Sequence, residues 1–260
     1  MRDTFIKTNS ARYSDALLVE AKGLRLLAST IDEAGIRELE VPQVHRVSSI
    51  QLEMDAIDGV SANSNHMSKL GQGLAKLHQR SYSAVGLAYN NYIGLNPQVN
   101  KLDDNWGRFF VERRLEYQLS LVSKVSLRTD LQRRLARLKS SLVSYLNLHC
   151  QQFSLVHGDL WSGNVLFDFD EAGGERCWLI DPAVYYGDRE VDLAMTELFG
   201  GFSPEFYKGY DEVFQRSVEY KNKRSIYNLY HYLNHYNLFG DSYSYLHSCE
   251  VSFDHMEQLL

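Results

Sequence analysis

The spacing of hydrophobic residues changes several times along this chain, and each change marks a predicted element. Residues 3–8 alternate around two apolar positions in the manner of a short strand. Leucine and alanine then recur every three or four residues over 17–28, which predicts a helix. Strand-like residues return over 47–54. The first 57 residues therefore predict a small lobe with the element order β-α-β-β.

The remainder of the chain, residues 58–260, is mostly helical in its pattern. A polar linker follows Gly59, and apolar residues at helical spacing then predict helices around 70–77, 115–122 and 131–142. Three short β-rich runs interrupt this pattern between 153 and 181. We therefore expect an α+β fold with two lobes, a small one rich in strands and a larger, mostly helical one.

Composition and charge limit the kinds of partner and the cellular compartment that we expect for this protein. The 260 residues are 44% hydrophobic, and acidic residues outnumber basic ones by 33 to 27. A chain with this net charge lacks the broad positive surface that a nucleic acid requires, so we expect no nucleic-acid partner. No apolar run is long enough for a membrane span. Three widely spaced cysteines favour a reducing compartment, and we expect a cytoplasmic protein.

The segment HGDLWSGN at 157–164 carries the strongest chemical signal. Asp159 and Asn164 have the D-x-x-x-x-N spacing of a kinase catalytic loop, and Asp181 follows where a second metal-binding carboxylate belongs. A phosphoryl group in transfer is highly charged, so oxygen ligands must hold Mg²⁺ against the phosphates. We predict Asn164 and Asp181 as metal ligands, Asp159 as the catalytic base, and ATP and Mg²⁺ as cofactors.

Residues of the small lobe are candidates for nucleotide binding. Lys7 in the first strand and Glu20 in the following helix occur in the order in which kinases place the phosphate-binding lysine and its ion-pair partner. Glu53, Met54 and Asp55 end the strand before the linker, where backbone groups would bind adenine and the Met54 side chain would line its face. Residues 1–57 are thus predicted to bind nucleotide, and residues 58–260 to carry the catalytic and substrate-binding groups.

Longer motifs resemble one kinase family. HGDLWSGN, together with DPAVYYGDREVDLAMTELFGGF at 181–202, is similar to the fructosamine (ketosamine) kinases, and the resemblance extends to 90–100, 106–119 and 229–240. It implies a protein-kinase-like fold of the aminoglycoside phosphotransferase type. It also implies ATP-dependent phosphorylation of the 3-hydroxyl of sugar-amine adducts, either small molecules or glycated lysines, after which the adduct sheds its amine.

The resemblance also suggests substrate contacts. Trp161, two residues after the predicted base, would stack against the sugar. The acidic residues Asp188 and Glu190, with Asp192 nearby, would bind the cationic amine of the adduct. Two alternatives remain open for these residues: they form a structural charge network, and Asp192 caps a helix.

The chain departs from the kinase pattern at its start. Only six residues precede Lys7, whereas kinases place two strands and a glycine-rich turn there. We expect a truncated chain or a misassigned start. We also expect a monomer or a weak homodimer, because without the missing strands the first strand exposes an edge that can pair with a second chain. The alternative functions are a kinase for another alcohol, such as an aminoglycoside or choline, and a catalytically impaired nucleotide-binding protein.

Overall fold

The computed structural model describes residues 3–10, 12–240 and 243–260. Its small lobe contains strand β1 (Thr4–Thr8), helix α1 (Ala16–Glu33) and strands β2 (Val44–Val47) and β3 (Gln51–Asp55). The three strands form an antiparallel sheet in the order β1-β3-β2. The apolar face of α1 packs against Leu52 and Met54 on β3, the central strand. This contact buries the face of the sheet that these two side chains occupy. The predicted β-α-β-β order is confirmed.

Strand β1 forms one edge of this sheet. Its apolar side chains Phe5 and Ile6 are 50% and 54% exposed. Whether this edge pairs with a second chain, as the sequence led us to expect, stays a prediction.

The larger lobe is mainly helical. Its helices are α2 (Ser64–Gln79), α3 (Trp106–Phe109), α4 (Tyr117–Leu121), α5 (Val125–His149), α6 (Glu190–Thr196), α7 (Pro204–Val213), α8 (Tyr220–Phe239) and α9 (Tyr243–Leu259). A π-helical segment, Phe110–Glu116, joins α3 to α4. One continuous apolar core connects most of these helices with the short strands of this lobe.

Among the described residues of this lobe there are three two-stranded sheets. They pair β4 (Asn91–Ile93) with β5 (Asn96–Gln98), β6 (Phe153–Val156) with β9 (Tyr185–Asp188), and β7 (Val165–Phe169) with β8 (Glu175–Leu179), all antiparallel. The loop from 157 to 164 connects β6 to β7, and the loop from 180 to 184 connects β8 to β9. The two predicted catalytic segments are therefore neighbouring loops at the ends of paired strands.

Several boundaries differ from the sequence prediction. The polar linker ends earlier than expected, because the Asn63 side chain accepts a hydrogen bond from His66 N and begins α2 as an N-cap. The predicted boundary at 57 and 58 lies between β3 and α2. The β4–β5 hairpin, β9 and α9 were not predicted, since their short or mixed patterns lack a clear period.

The described helices and the cysteines bear on membrane spans and on disulfide formation. Within residues 3–10, 12–240 and 243–260, no helix combines the length and apolar character that crossing a bilayer requires. The cysteines Cys150, Cys177 and Cys249 are free thiols.

Candidate active site

A cavity of about 340 Å³ lies between the small lobe and the two loops described above. Its lining includes six of the predicted functional residues. They are Lys7, Glu20, Asp159, Trp161, Asn164 and Asp181. Residues from β1, α1 and both loops of the larger lobe therefore meet at one place.

The backbone of the 157–164 loop follows a tight course. Gly158 has a φ of +82°, and a Cβ atom there would lie 2.1 Å from the carbonyl oxygen of Ala183. Only glycine fits this left-handed, crowded position. The loop closes on itself where Asn164 Nδ2 donates to the carbonyl oxygen of Asp159 at 2.9 Å and to Asp159 Oδ2 at 3.2 Å. The spacing of four residues thus brings the two side chains into direct contact.

Asp192 fixes this loop from beneath. Its carboxylate accepts hydrogen bonds from the backbone amides of His157 and Gly158 at 2.7 and 2.8 Å. His78 Nε2 lies 3.2 Å from the same carboxylate. Burial alone would raise the pKa of Asp192, but these donors outweigh it and hold the pKa below its usual value. Asp192 is therefore a buried, ionised anchor for the loop and does not bind the substrate amine.

His157 supports the neighbouring loop. Its Nε2 donates to the carbonyl oxygen of Ile180 at 2.9 Å, and its Nδ1 accepts from the Asp159 amide at 3.3 Å. Burial lowers the pKa of His157, which keeps the ring neutral and suits this donor and acceptor pattern. The histidine of the motif thus connects the two catalytic loops through their backbones.

The environment of Asp159 suits a proton acceptor. Burial raises the pKa of Asp159 to about 7, against the opposing hydrogen bond from Asn164, and the nearby charge of Asp181 adds to the rise. A general base is most effective when its pKa is close to the working pH.

Lys7 forms ion pairs with two carboxylates from different parts of the fold. Its Nζ lies 2.9 Å from Glu20 Oε1 on α1 and 2.9 Å from Asp181 Oδ1. Burial would lower the pKa of Lys7, but the two carboxylates outweigh it and raise the pKa, so the ammonium stays charged. Burial raises the pKa of Glu20 to about 7 in spite of its pairing with Lys7.

Asp181 has an unusual backbone conformation, with a φ of +51°. Among the described residues it is the only residue other than glycine with a positive φ. This conformation costs free energy and is characteristic of functional sites, where surrounding structure maintains it. It directs the carboxylate of Asp181 toward Lys7 and the cavity.

The oxygen atoms of Asn164 and Asp181 fit a partial magnesium site. The described residues contain no cluster of three or more histidine, cysteine or acidic side chains arranged for a metal. Mg²⁺ in kinases is held by one or two protein oxygen ligands, and phosphates and water complete its coordination. The side-chain nitrogen of Asn164 donates to Asp159, so the side-chain oxygen of Asn164, Oδ1, is the atom that can act as a metal ligand. The two residues therefore fit a metal that arrives with a nucleotide.

The predicted adenine contacts are not part of this cavity. Met54 is 5% exposed and belongs to the core beneath α1. The Glu53 side chain accepts a hydrogen bond from Gln51, and the Asp55 carboxylate pairs with His45. The Met54 side chain is buried in that core and does not line the cavity, whereas adenine binding by the backbone of these residues stays a prediction.

Asp188 and Glu190 differ most from the sequence expectation. They are 2% and 0% exposed, and Lys223 Nζ lies 2.7 Å from a carboxylate oxygen of each. Tyr227 also donates to Asp188, and the Ser217 amide and hydroxyl donate to Glu190. Neither residue lines the cavity. The prediction that they bind the substrate amine is wrong, because their oxygens are buried within a structural charge network.

Sequence reasoning missed the residues that support the second loop. Gln98 and Asn91 on the β4–β5 hairpin donate to the carbonyl oxygens of Ala183 and Val184. A polar pair on a short hairpin has no period by which it could be found, although the segment is part of the resemblance at 90–100.

Comparison with known proteins agrees with this geometry. The family model described as fructosamine kinase matches residues 1–255. The chain belongs to the fructosamine kinase family. It is therefore a phosphotransferase with the two-lobed kinase-like fold, as the sequence predicted.

Individual relatives support this assignment. A protein from Synechocystis named as a probable ketoamine kinase is 39% identical over 92% of this chain and 78% of its own length. A solved structure from Thermobifida fusca, provisionally named a fructosamine-3-kinase, has a TM-score of 0.84 at 26% identity and covers 98% of this chain and 85% of its own. The ADP-bound aminoglycoside phosphotransferase APH(2'')-Ib has a TM-score of 0.61 at 16% identity, covers 97% and 86% of the two chains, and shares the fold.

Proposed function

We propose that this protein uses ATP, bound with Mg²⁺, to phosphorylate the 3-hydroxyl of fructosamines or related ketosamines. The observation that carries the proposal is the meeting of Asp159, Asn164, Asp181 and Lys7 in one cavity. Family membership supports a ketosamine acceptor over an aminoglycoside or choline, since the aminoglycoside enzyme shares only the fold.

Asp159 orients the acceptor. Its carboxylate, with a pKa of about 7, accepts a hydrogen bond from the 3-hydroxyl and takes the proton as the new bond from that oxygen to phosphorus forms. The bond from the γ-phosphorus to the β-phosphate oxygen breaks, and ADP leaves with the electron pair. The products are ADP and the 3-phosphorylated ketosamine, which releases its amine in a later step.

Other residues position the nucleotide. Lys7 supplies a positive charge to the phosphates, and Glu20 holds this ammonium in place from α1. Asn164 and Asp181 are the proposed ligands of Mg²⁺, which neutralises charge on the phosphates when it is bound. Trp161, 39% exposed at the wall of the cavity, offers its indole face to the sugar ring.

The test measures phosphate transfer from Mg-ATP to fructosyl-, ribulosyl- and erythrulosyl-amines, with ³¹P NMR to locate the phosphate on O3. We expect Asp159→Asn to lose at least about 10³-fold in kcat with little change in ATP affinity. Asp130→Asn is the matched control, because Asp130 is an exposed carboxylate on α5. Turnover by the Asp159 variant at the wild-type rate would exclude this residue as the base, and inactivity of the wild type toward every ketosamine would overturn the function.

A further inference from the structure

A continuous strip of aromatic side chains leads away from the cavity. Ring contacts connect Trp161 to Phe199, with centroids 6.3 Å apart, and Phe199 to His235 at 4.9 Å. His235 in turn contacts Phe239 at 5.6 Å and Tyr245 at 5.4 Å. We name these five residues the aromatic strip. Because Trp161 also lines the cavity with Asp159, the strip is continuous with the proposed sugar site.

The strip is partly open to solvent, with exposed rings on either side of the half-buried His235. Phe199 is 42% exposed and Phe239 is 67% exposed, in addition to the partly exposed Trp161. Single exposed apolar residues are ordinary on protein surfaces, but connected aromatic rings beside a catalytic site indicate a binding surface.

Two glycines fix the strip against the catalytic loop. A Cβ atom on Gly163 would lie 2.2 Å from the Trp161 ring, so the indole rests directly on the loop backbone. A Cβ atom on Gly201, whose φ is +94°, would lie 2.5 Å from the Cβ of Ser162. The segment that carries Phe199 therefore packs closely on the loop that carries the base, and the position of the strip is coupled to that of Asp159.

The strip carries no positive charge. His235 Nδ1 donates to the carbonyl oxygen of His231 at 2.8 Å, which leaves the lone pair of the neutral ring on Nε2. Burial lowers the pKa of His235, so the ring is neutral at pH 7. The other members of the strip are uncharged aromatic side chains. Such faces attract an ammonium group by cation-π interaction and pack against hydrocarbon.

The chemistry of the strip suits the amine end of the proposed substrate. A ketosamine consists of a sugar, a secondary ammonium and the substituent of the amine. The buried carboxylates Asp188 and Glu190 cannot receive the ammonium, since Lys223 already pairs with both.

Resting on the proposed function, we infer that the aromatic strip binds the ammonium and the amine substituent, and that the enzyme prefers ketosamines whose amine carries a hydrocarbon chain or an aromatic ring. The sugar lies on Trp161 with its 3-hydroxyl at Asp159. The substituent extends over Phe199 and His235 toward Phe239.

The test compares two fructosamines that differ only in the amine substituent, one methyl and one phenethyl. We expect the wild type to show about tenfold higher kcat/KM for the phenethyl substrate, mostly through KM. Phe239→Ala, at the end of the strip beyond Phe199 and His235, should remove most of this preference and change kcat/KM for the methyl substrate less than about twofold, because a methyl substituent is too short to extend that far. Phe169→Ala is the matched control, because Phe169 on β7 is 44% exposed and lies outside the strip.

The outcomes separate the two proposals. Equal kcat/KM for both substrates in the wild type, or equal losses for both in Phe239→Ala, would overturn the strip as a subsite while the kinase function stands. Failure of the wild type to phosphorylate either substrate would overturn the proposed function itself. Thermal melting of each variant shows whether the fold is retained, and the ratio of the two substrates within one variant is independent of the fraction folded.

Discussion

Asp192 is a single side chain on which the geometry of the catalytic loop depends. Two backbone amides and one histidine ring share its carboxylate, so both of its oxygens accept hydrogen bonds from neighbouring groups. It touches no cavity atom, and its effect on the reaction is indirect, through the position of Asp159.

We predict that Asp192→Asn lowers kcat about 10²-fold while KM for ATP changes little. The amide has nearly the same shape, but its nitrogen cannot accept a hydrogen bond, so one of the loop amides loses its partner. Steady-state kinetics and a melting curve check this prediction. Asp130→Asn serves again as the control, and an unchanged kcat would show that the loop keeps its geometry without Asp192.

His231 provides a prediction about pH. It is 3% exposed on α8, and burial lowers its pKa to about 3, with smaller effects from His235, Asp192 and Arg114. An unfolded histidine has a pKa of about 6.5. Below that pH the unfolded chain binds a proton that the folded chain does not, so the free energy of unfolding falls as the pH falls.

We expect the wild type to lose about 2 kcal/mol more unfolding free energy than His231→Gln between pH 7.5 and pH 5. Urea denaturation of both proteins at each pH measures this difference. Parallel losses in the two proteins would mean that the native state already accommodates a charged His231.

At the scale of elements, the two catalytic loops approach each other as closely as their backbones allow. Gly158 and Gly173 share a φ of +82°, but a Cβ at Gly158 would clash with Ala183, whereas a Cβ at Gly173 would meet nothing within 4 Å. Substitutions at these two glycines therefore separate the free-energy cost of the left-handed backbone from the free-energy cost of a steric clash between the loops.

We predict that Gly173→Ala destabilises the fold by about 1–2 kcal/mol and leaves kcat unchanged. Gly158→Ala should destabilise it by more and also lower kcat, because the loop must move away from the segment after Asp181. Denaturation and kinetics on both variants test this. Equal effects of the two substitutions would contradict a steric role for the contact.

At the scale of the whole molecule, a buried charge network joins distant elements. Lys223 on α8 pairs with Asp188 at the end of β9 and Glu190 at the start of α6, and it donates to the carbonyl oxygen of His149 at the end of α5. Four elements thus share one buried cation. Its removal would leave Asp188 without its Lys223 partner and Glu190 with the more distant Arg189 Nη2, 3.7 Å away.

We predict that Lys223→Met lowers the free energy of unfolding by about 3–5 kcal/mol. Lys139→Met is the control, since Lys139 also pairs with two carboxylates, Glu112 and Glu116, but on the surface, where the loss should stay below about 1 kcal/mol. Urea denaturation measures both values. Similar losses at the two sites would show that burial does not set the importance of this network.

The sequence by itself determined the features that depend on local order. Hydrophobic period distinguished the β-α-β-β lobe from the helical lobe, because it reports which face of a segment is apolar. The spacing of Asp159 and Asn164 predicted the catalytic loop, since residues so close in sequence share one turn. The position of Asp181 and the order of Lys7 and Glu20 predicted three further members of the cavity.

Only the tertiary structure decided which groups meet and which are buried. Lys7 contacts Asp181 across 174 positions of sequence. The acidic motif led us to expect Asp188 and Glu190 in a substrate site. In the structure both are buried and pair with Lys223, which is distant in the chain. Hydrophobic period and composition show which face of a segment is apolar, but they do not identify the segment that packs against it. Burial, which depends on that packing, changes the charge state and the role of a side chain. The aromatic strip likewise exists because α8, α9 and the segment that carries Phe199 pack beside the catalytic loop.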